Sequence, residues 1–103
     1  MIKLIALYRR PNDLDAFLKH YREVHTPLTK QLPGLERLVV DRVSADAFGG
    51  EPEFVLIAEM HFADRDAFKT AMRSEENRRL GEDLQSFAKG IATVLVTDSE
   101  EVR

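Results

Sequence analysis

Apolar and polar positions divide the chain into four short apolar runs and two longer segments with a helical repeat. The apolar runs, each of which predicts a strand, span residues 2–8, 35–43, 54–62 and 91–96. After the first run, apolar side chains recur every three or four residues from Leu14 to Leu28. A second helical repeat follows the third run, from Ala67 to Phe87. The sequence therefore predicts the element order β-α-β-β-α-β.

Turn and cap residues support these boundaries. Short polar side chains that can accept the free amide hydrogens of a first helical turn precede the helical segments: Asn12 or Asp13, Asp64 and Ser74. Pro27 lacks a backbone donor, so we expect the first helix to break there and to restart with Thr26 as its cap. The element order is that of the ferredoxin-like split motif. It predicts an α+β domain, a four-stranded antiparallel sheet with two helices on one face.

The predicted strands are apolar on both faces. In the first strand, Leu4, Ala6 and Tyr8 point to one side, while Ile5 and Leu7 point to the other. Two helices cover only one face of a sheet, and an uncovered apolar face of this kind usually marks an interface. We therefore predict a homodimer that packs through the sheet face. A monomer with an apolar surface is the alternative.

Composition and charge narrow the class of protein. A chain of 103 residues with 44% apolar and 32% charged residues fits a single globular domain over residues 1–103. The net charge of −3 argues against a nucleic-acid partner, and no run approaches the roughly 18 apolar residues of a membrane span. The chain has no cysteine, and Lys3 interrupts its short apolar start, which is unlike a signal peptide. We expect a cytoplasmic protein without nucleic-acid or membrane partners.

His25 is the strongest candidate for chemistry. Tyr21 and His25 are four positions apart, on the helix face that also carries Phe17, so the imidazole is predicted to point inward. In an apolar pocket an imidazole can act as acid or base. We assign His25 as the catalytic acid or base and Tyr21 as its orienting partner. The alternatives are a buried histidine that bonds a free carbonyl at the helix break, and an ordinary core tyrosine.

Further side chains are predicted to contact a small apolar or aromatic ligand in a pocket between the first helix and the sheet. They are Tyr8, Phe17, Asn77, Leu84 and Phe87. Tyr8 ends the first strand in phase with Ala6, whose small side chain leaves room above the sheet. Asn77 and the aromatic residues also have structural interpretations, as a helix cap and as core residues.

The remaining histidines are not assigned to the site. His20 is predicted to face solvent, and His61 lies on the sheet face assigned to the partner. No two histidines have the four-residue spacing of a helical metal site, and no compact carboxylate–histidine cluster is visible. No nucleotide-binding or nucleophile-elbow motif is present either. We predict neither a metal nor a cofactor, although His25 alone leaves haem binding open.

The stretch HYREVHTPLTKQLPGL, residues 20–35, resembles the EthD family, as do the opening LYRRP and the later SEEN. The resemblance implies a dimeric α/β barrel in which each subunit has a pocket between its helices and its own sheet. The family takes its name from a bacterial gene cluster that degrades a fuel ether alongside a cytochrome P450 system, and the role of most members is not established. The chain is also similar in outline to small polyketide cyclases, some of which have a histidine near this junction of the second helical region. This chain has Asn77 there, and an asparagine cannot act as a base at neutral pH.

Three functions remain open from the sequence. The first is a cofactor-free enzyme or accessory factor that acts on a small apolar or aromatic molecule, with chemistry such as isomerisation, cyclisation or oxygenation. The second is a binding module with the same pocket and no turnover. The third is a structural or stress-associated dimer with a filled core.

Overall fold

The computed structural model describes residues 1–102. Its strands are β1 (Ile2–Arg9), β2 (Arg37–Arg42), β3 (Phe54–Phe62) and β4 (Ala92–Asp98). Its α-helices are α1 (Leu14–His20), α2 (Thr26–Thr29), α3 (Arg65–Met72) and α4 (Glu75–Ala88), and a π-helical turn, Tyr21–His25, joins α1 to α2.

The strands form one antiparallel sheet in the order β2-β3-β1-β4. This order and the βαββαβ connectivity confirm the predicted α+β, ferredoxin-like fold. The molecule measures 39 × 38 × 19 Å. Its shortest dimension, 19 Å, is the thickness of one sheet layer and one helix layer. The sheet therefore has an inner face under the helices and an outer face that nothing in residues 1–102 covers with a second layer.

The strand register shows which residues share the inner face. Leu4 pairs with Met60, Ala6 with Ala58 and Tyr8 with Leu56, and all of these residues except the half-buried Leu4 are buried. Because paired residues point to the same side, the inner face is a continuous apolar surface on which the helices pack.

The outer face carries a second apolar set. Ile5, Leu7, Ile57 and Leu95 lie on it, and Leu95 is 50% exposed. Both faces thus carry an apolar set, as the strand sequences predicted, and the outer face also carries the Lys3–Glu59 ion pair.

The helix starts confirm the predicted caps. Asp13 accepts a hydrogen bond from the amide of Ala16 at 3.0 Å, and Asp64 accepts one from Ala67 at 2.8 Å. The hydroxyl of Ser74 accepts one from Asn77 at 3.1 Å. Each bond satisfies an amide that has no partner within its own helix, so α1, α3 and α4 begin where these residues stand.

The expected break at Pro27 is wrong in its details. Thr26 keeps helical dihedral angles (φ −61°, ψ −46°), and it does not act as a cap. Its amide instead donates to the carbonyl of Tyr21, five residues back, which is the bond of a π turn. The helix therefore absorbs the proline by widening one turn rather than by stopping. Such turns are frequent at functional sites, and this one ends at His25.

Candidate functional site

Aromatic rings from three elements surround His25. Tyr8 of β1 contacts Phe17 and Tyr21 edge-on, with ring centroids 5.5 Å apart in each pair. Phe87 of α4 lies 5.3 Å from Phe17 and 5.0 Å from His25. The rings of Tyr21 and His25 are 5.4 Å apart, so their four-residue spacing does place both on one inward face. His25 is buried, with 5% of its surface exposed.

A single carboxylate holds two imidazoles at this point. His25 Nδ1 lies 2.8 Å from Asp83 Oδ2, and His20 Nε2 lies 2.8 Å from Asp83 Oδ1. An ionised carboxylate only accepts hydrogen bonds, so His25 donates from Nδ1 and its Nε2 carries the free lone pair. Within residues 1–102, no hydrogen bond reaches Nε2, and that atom is not among the fully buried polar atoms without a partner. The arrangement is a buried histidine held in one tautomer with its second nitrogen available.

Burial dominates the proton affinity of the site. It lowers the pKa of His25 below the ordinary 6.5; the hydrogen bond and charge of Asp83 oppose that change and are smaller, while the charge of His20 adds to it. Burial also raises the pKa of Tyr8 far above its ordinary value, with further contributions from Tyr21 and Asp83, and it raises the pKa of Tyr21 to about 12. At neutral pH the site therefore holds a neutral imidazole beside two protonated phenols.

A cavity of about 200 Å³ lies between the inner sheet face and α4. His25, Tyr8, Asn77 and Leu84 contribute to its wall, and the rest of its lining is apolar. We call it the His25 cavity. It brings together four of the seven residues assigned from the sequence.

The other assigned residues face different spaces. Phe17 and Phe87 line a surface groove of about 410 Å³ that also contacts His20, and we call it the His20 groove. Tyr21 lines a third space of about 300 Å³ between α1 and the sheet, which does not reach His25. There is a space between the first helix and the sheet, but it lacks His25, and the cavity at the imidazole lies under α4.

Two predictions about histidines are wrong. His20 does not simply face solvent, because its side chain is only 31% exposed and bonds Asp83. A carboxylate–histidine cluster does exist; it was missed because Asp83 is 58 residues from His25 in the chain. The sequence did contain a signal for this contact. Asp83 is a polar residue on a predicted helix, and it is next to Leu84, which is predicted to line the pocket. His61 is also more buried than expected, at 8% exposure, and pairs with Glu59.

Asn77 joins the two helices of the second helical region. Its amide group donates to the carbonyl of Met72 at 3.1 Å, while its backbone amide bonds the Ser74 cap. Asn77 thus fixes the start of α4 and contributes to the wall of the His25 cavity at the same time.

The hydrogen bonds of His25 differ from those of the structural alternative considered in the sequence analysis. The structural alternative places the imidazole against a free backbone carbonyl at the helix break. The imidazole instead bonds the carboxylate of Asp83. Its own carbonyl accepts a hydrogen bond from the Thr29 hydroxyl at 2.9 Å. Within residues 1–102, no group of three or more histidine, cysteine or acidic side chains has the geometry to hold a metal ion.

The fold and the site together define a ferredoxin-like α+β domain with a carboxylate-held histidine at the wall of an apolar cavity. Residues 9–91 match the EthD domain, which is most of the chain, and the protein belongs to the EthD family. The family resemblance of residues 20–35 is therefore confirmed.

Two relatives match over nearly their whole lengths. One is an uncharacterized 11.0 kDa protein from the thcB-thcC intergenic region of Rhodococcus erythropolis, 30% identical over 99% of this chain and 98% of its own. The other is the crystal structure of an EthD family protein from Bacillus halodurans. It is 38% identical, covers 97% of this chain and 99% of its own, and superposes with a TM-score of 0.92.

More distant structures share the fold alone. SnoaB, a cofactor-independent oxygenase from Streptomyces nogalater, is 12% identical over 98% of this chain and 94% of its own, with a TM-score of 0.69. A dimeric ferredoxin-like protein of unknown function from Thermobifida fusca is 13% identical over 93% and 88%, with a TM-score of 0.67. In residues 1–102 of this chain, no helix is long and apolar enough to cross a membrane.

Proposed function

We propose that this EthD family protein carries out cofactor-independent acid–base chemistry on a small apolar or aromatic molecule, with His25 as the proton acceptor. One observation carries the proposal: a neutral imidazole at the cavity wall is held by Asp83 through Nδ1, which leaves Nε2 as a base. A base of this kind contributes about 10²–10⁴-fold to proton transfer when its proton affinity suits the working pH.

The reaction consistent with this wall is abstraction of an acidic C–H proton. The proton moves to His25 Nε2, and the electron pair of the C–H bond is delocalised onto an adjacent carbonyl oxygen. Tyr8, whose raised pKa keeps it a phenol, and Asn77 line the same cavity, and we assign them to stabilise that oxygen. Tyr21 acts on His25 through ring contact. A cofactor-independent oxygenase has the same fold, which supports the choice of cofactor-free chemistry in this proposal.

The size and lining of the cavity set the ligand class. Its volume of about 200 Å³ is below the 300–1,000 Å³ typical of drug-sized ligands and above the 150 Å³ that holds a benzene molecule. The lining is apolar except for the imidazole, the phenol and the amide. It suits a ligand with a single ring, or with two fused rings, that carries one polar group.

Proton abstraction is testable without knowledge of the natural substrate. Indan-2-one, a two-ring ketone with acidic C–H bonds, would be incubated with the protein in D₂O at pH 7.5, and loss of the α-proton signal followed by NMR. We expect exchange above the buffer rate, reduced to the buffer rate by His25→Gln. Leu84→Trp fills the cavity while keeping His25 and serves as the matched variant; it should abolish exchange as well. Equal exchange in wild type and His25→Gln would refute the proposal.

A binding module is the second candidate, and the apolar lining of the cavity favours it. Phenol and toluene have the same shape, but only phenol donates a hydrogen bond. If the protein binds phenol more tightly than toluene, loses that preference in His25→Gln, and shows no exchange with indan-2-one, the site recognises ligands without turnover.

We also propose that two copies pair through the outer sheet face. The apolar outer face and the dimeric state of a fold neighbour support this assembly. Leu95→Glu on the outer face should give monomers in analytical ultracentrifugation. Val96→Glu is the matched control, because Val96 is similarly exposed (54%) on the opposite face. A wild-type monomer, or equal effects of both variants, would contradict it.

A further inference from the structure

The two imidazoles held by Asp83 face two different spaces. His25 contributes to the wall of the cavity, and His20 contributes to the wall of the surface groove, where Arg10 and Lys89 also lie. The two bonds to the carboxylate are equal in length, at 2.8 Å, and they use opposite oxygens. Phe87 contacts both rings, with centroid distances of 4.5 Å to His20 and 5.0 Å to His25. The rings are therefore linked by one carboxylate and one shared aromatic neighbour.

We propose that His20 is a positioning residue that sets the basicity of His25 through the shared Asp83 carboxylate, so that the state of the His20 groove controls the base in the cavity. This inference rests on the proposed role of His25. Within residues 1–102, Asp83 provides the hydrogen-bonded connection, because it bonds both rings while His20 does not line the His25 cavity.

The mechanism is competition for one negative charge. The charge of Asp83 favours a proton on His25, and a cation or strong donor on Asp83 Oδ1 withdraws part of that support. His20 occupies Oδ1 from the groove side, where about a third of its side chain is exposed and open to binding by an anion. An anion that binds His20 weakens the bond from His20 to Asp83. More of the negative charge of Asp83 then acts on His25, which becomes a stronger base. The groove supplies two further cations for such an anion, Arg10 and Lys89.

Other titratable groups surround the linked pair and are constant across the variants below. Tyr8 and Tyr21 face His25 from β1 and from its own helix. Asp13 lines the groove, where its carboxylate is already engaged as the cap of α1. None of these groups lies between the two imidazoles.

The test follows the titration of His25 by ¹⁵N-imidazole NMR in ligand-free full-length protein, with its signals identified from His25→Gln. His20→Leu removes the competitor and should raise the midpoint of His25 by on the order of 1 pH unit. His20→Arg places a permanent cation against Oδ1 and should lower it. His20→Gln keeps an N–H donor to Oδ1 and should preserve both the midpoint and the Nδ1–H tautomer.

Lys19→Leu is the matched control, since it removes a neighbouring charge from the same helix without touching Asp83. The inference is overturned if His25 titrates identically in all His20 variants, or if Lys19→Leu shifts it as much as His20→Leu. If His20→Leu does not fold, the order of the Gln and Arg variants still decides. Failure of indan-2-one exchange in wild type would refute the proposed function and leave this linkage standing, because the titration needs no substrate.

Discussion

The hydrogen bond between Asp83 and His25 should contribute more to the free energy of unfolding than the bond between Asp83 and His20. Both imidazole–carboxylate distances are nevertheless 2.8 Å. The side chains of His25 and Asp83 are 6% and 11% exposed, so water cannot replace the lost bond. A hydrogen bond to a charged group in such surroundings contributes about 1.5–3 kcal/mol. The side chain of His20 is 31% exposed, and a partly solvated pair contributes about 0.2–1 kcal/mol.

The assay is a pair of double-mutant cycles. Asp83→Ala, His25→Ala, His20→Ala and the two double variants would be unfolded in urea at pH 7.5 and one fixed protein concentration. Under the proposed pairing of two copies the stability depends on protein concentration, so the concentration is held fixed. Asp83→Ala alone should lower the free energy of unfolding by roughly 3 kcal/mol, since both bonds are lost.

The coupling energies decide whether the reasoning is correct. We expect about 1.5–3 kcal/mol between Asp83 and His25, and less than about 1 kcal/mol between Asp83 and His20. Additive effects for Asp83 and His25, within about 0.5 kcal/mol, would mean that the buried bond adds no net stability. Equal coupling in both cycles would mean that burial does not separate the two bonds, and the account of the site would be refuted.

Three further outcomes follow. The pKa of His25 is lower in the folded protein, so the unfolded chain takes up a proton on this histidine first as the pH drops. The contribution of His25 to stability is therefore full above pH 6.5 and is lost as the pH falls below it. His25→Gln should flatten this loss of unfolding free energy, measured by urea unfolding at a series of pH values. Leu80→Ala enlarges the cavity and should cost about 2–5 kcal/mol of unfolding free energy by the same assay; no loss would mean that the wall collapses. Thr97→Val removes a buried hydroxyl with no partner in residues 1–102 and should stabilise the isolated chain by about 1 kcal/mol, whereas a weaker dimer by ultracentrifugation would reveal a partner across the interface.

Local patterns in the sequence predicted most of the fold. The bounds of β3 agree with the structure at both ends, because Phe54–Phe62 is apolar at nearly every position and ends just before the Asp64 cap. The second strand is shorter than its apolar run, since Leu35 lies in the turn that follows Gly34, a glycine with positive φ. Strand-forming runs, turns and caps depend on neighbours in sequence, so they are visible without a structure.

The site was only half visible for the opposite reason. His25 and Tyr21 share a helix face, and their inward direction follows from spacing alone. Asp83 reaches His25 and His20 from a helix some 60 residues away, and only the packing of α4 against the first helical segment shows the contact. The π turn was hidden too, because Pro27 signals a missing donor but not whether the chain stops or widens around it.

The order of the strands leaves β2 and β4 as the two edges of the sheet, and these edges are protected unequally. β2 carries three charged residues, Arg37, Asp41 and Arg42, which discourage a further strand from pairing. β4 presents Val94, Leu95 and Val96 with 43–54% exposure and has no charge before Asp98. Short β-prone runs of this kind nucleate aggregates when they are uncovered. Substitutions that uncover β4 further should therefore increase aggregation of the protein before they affect the folded core.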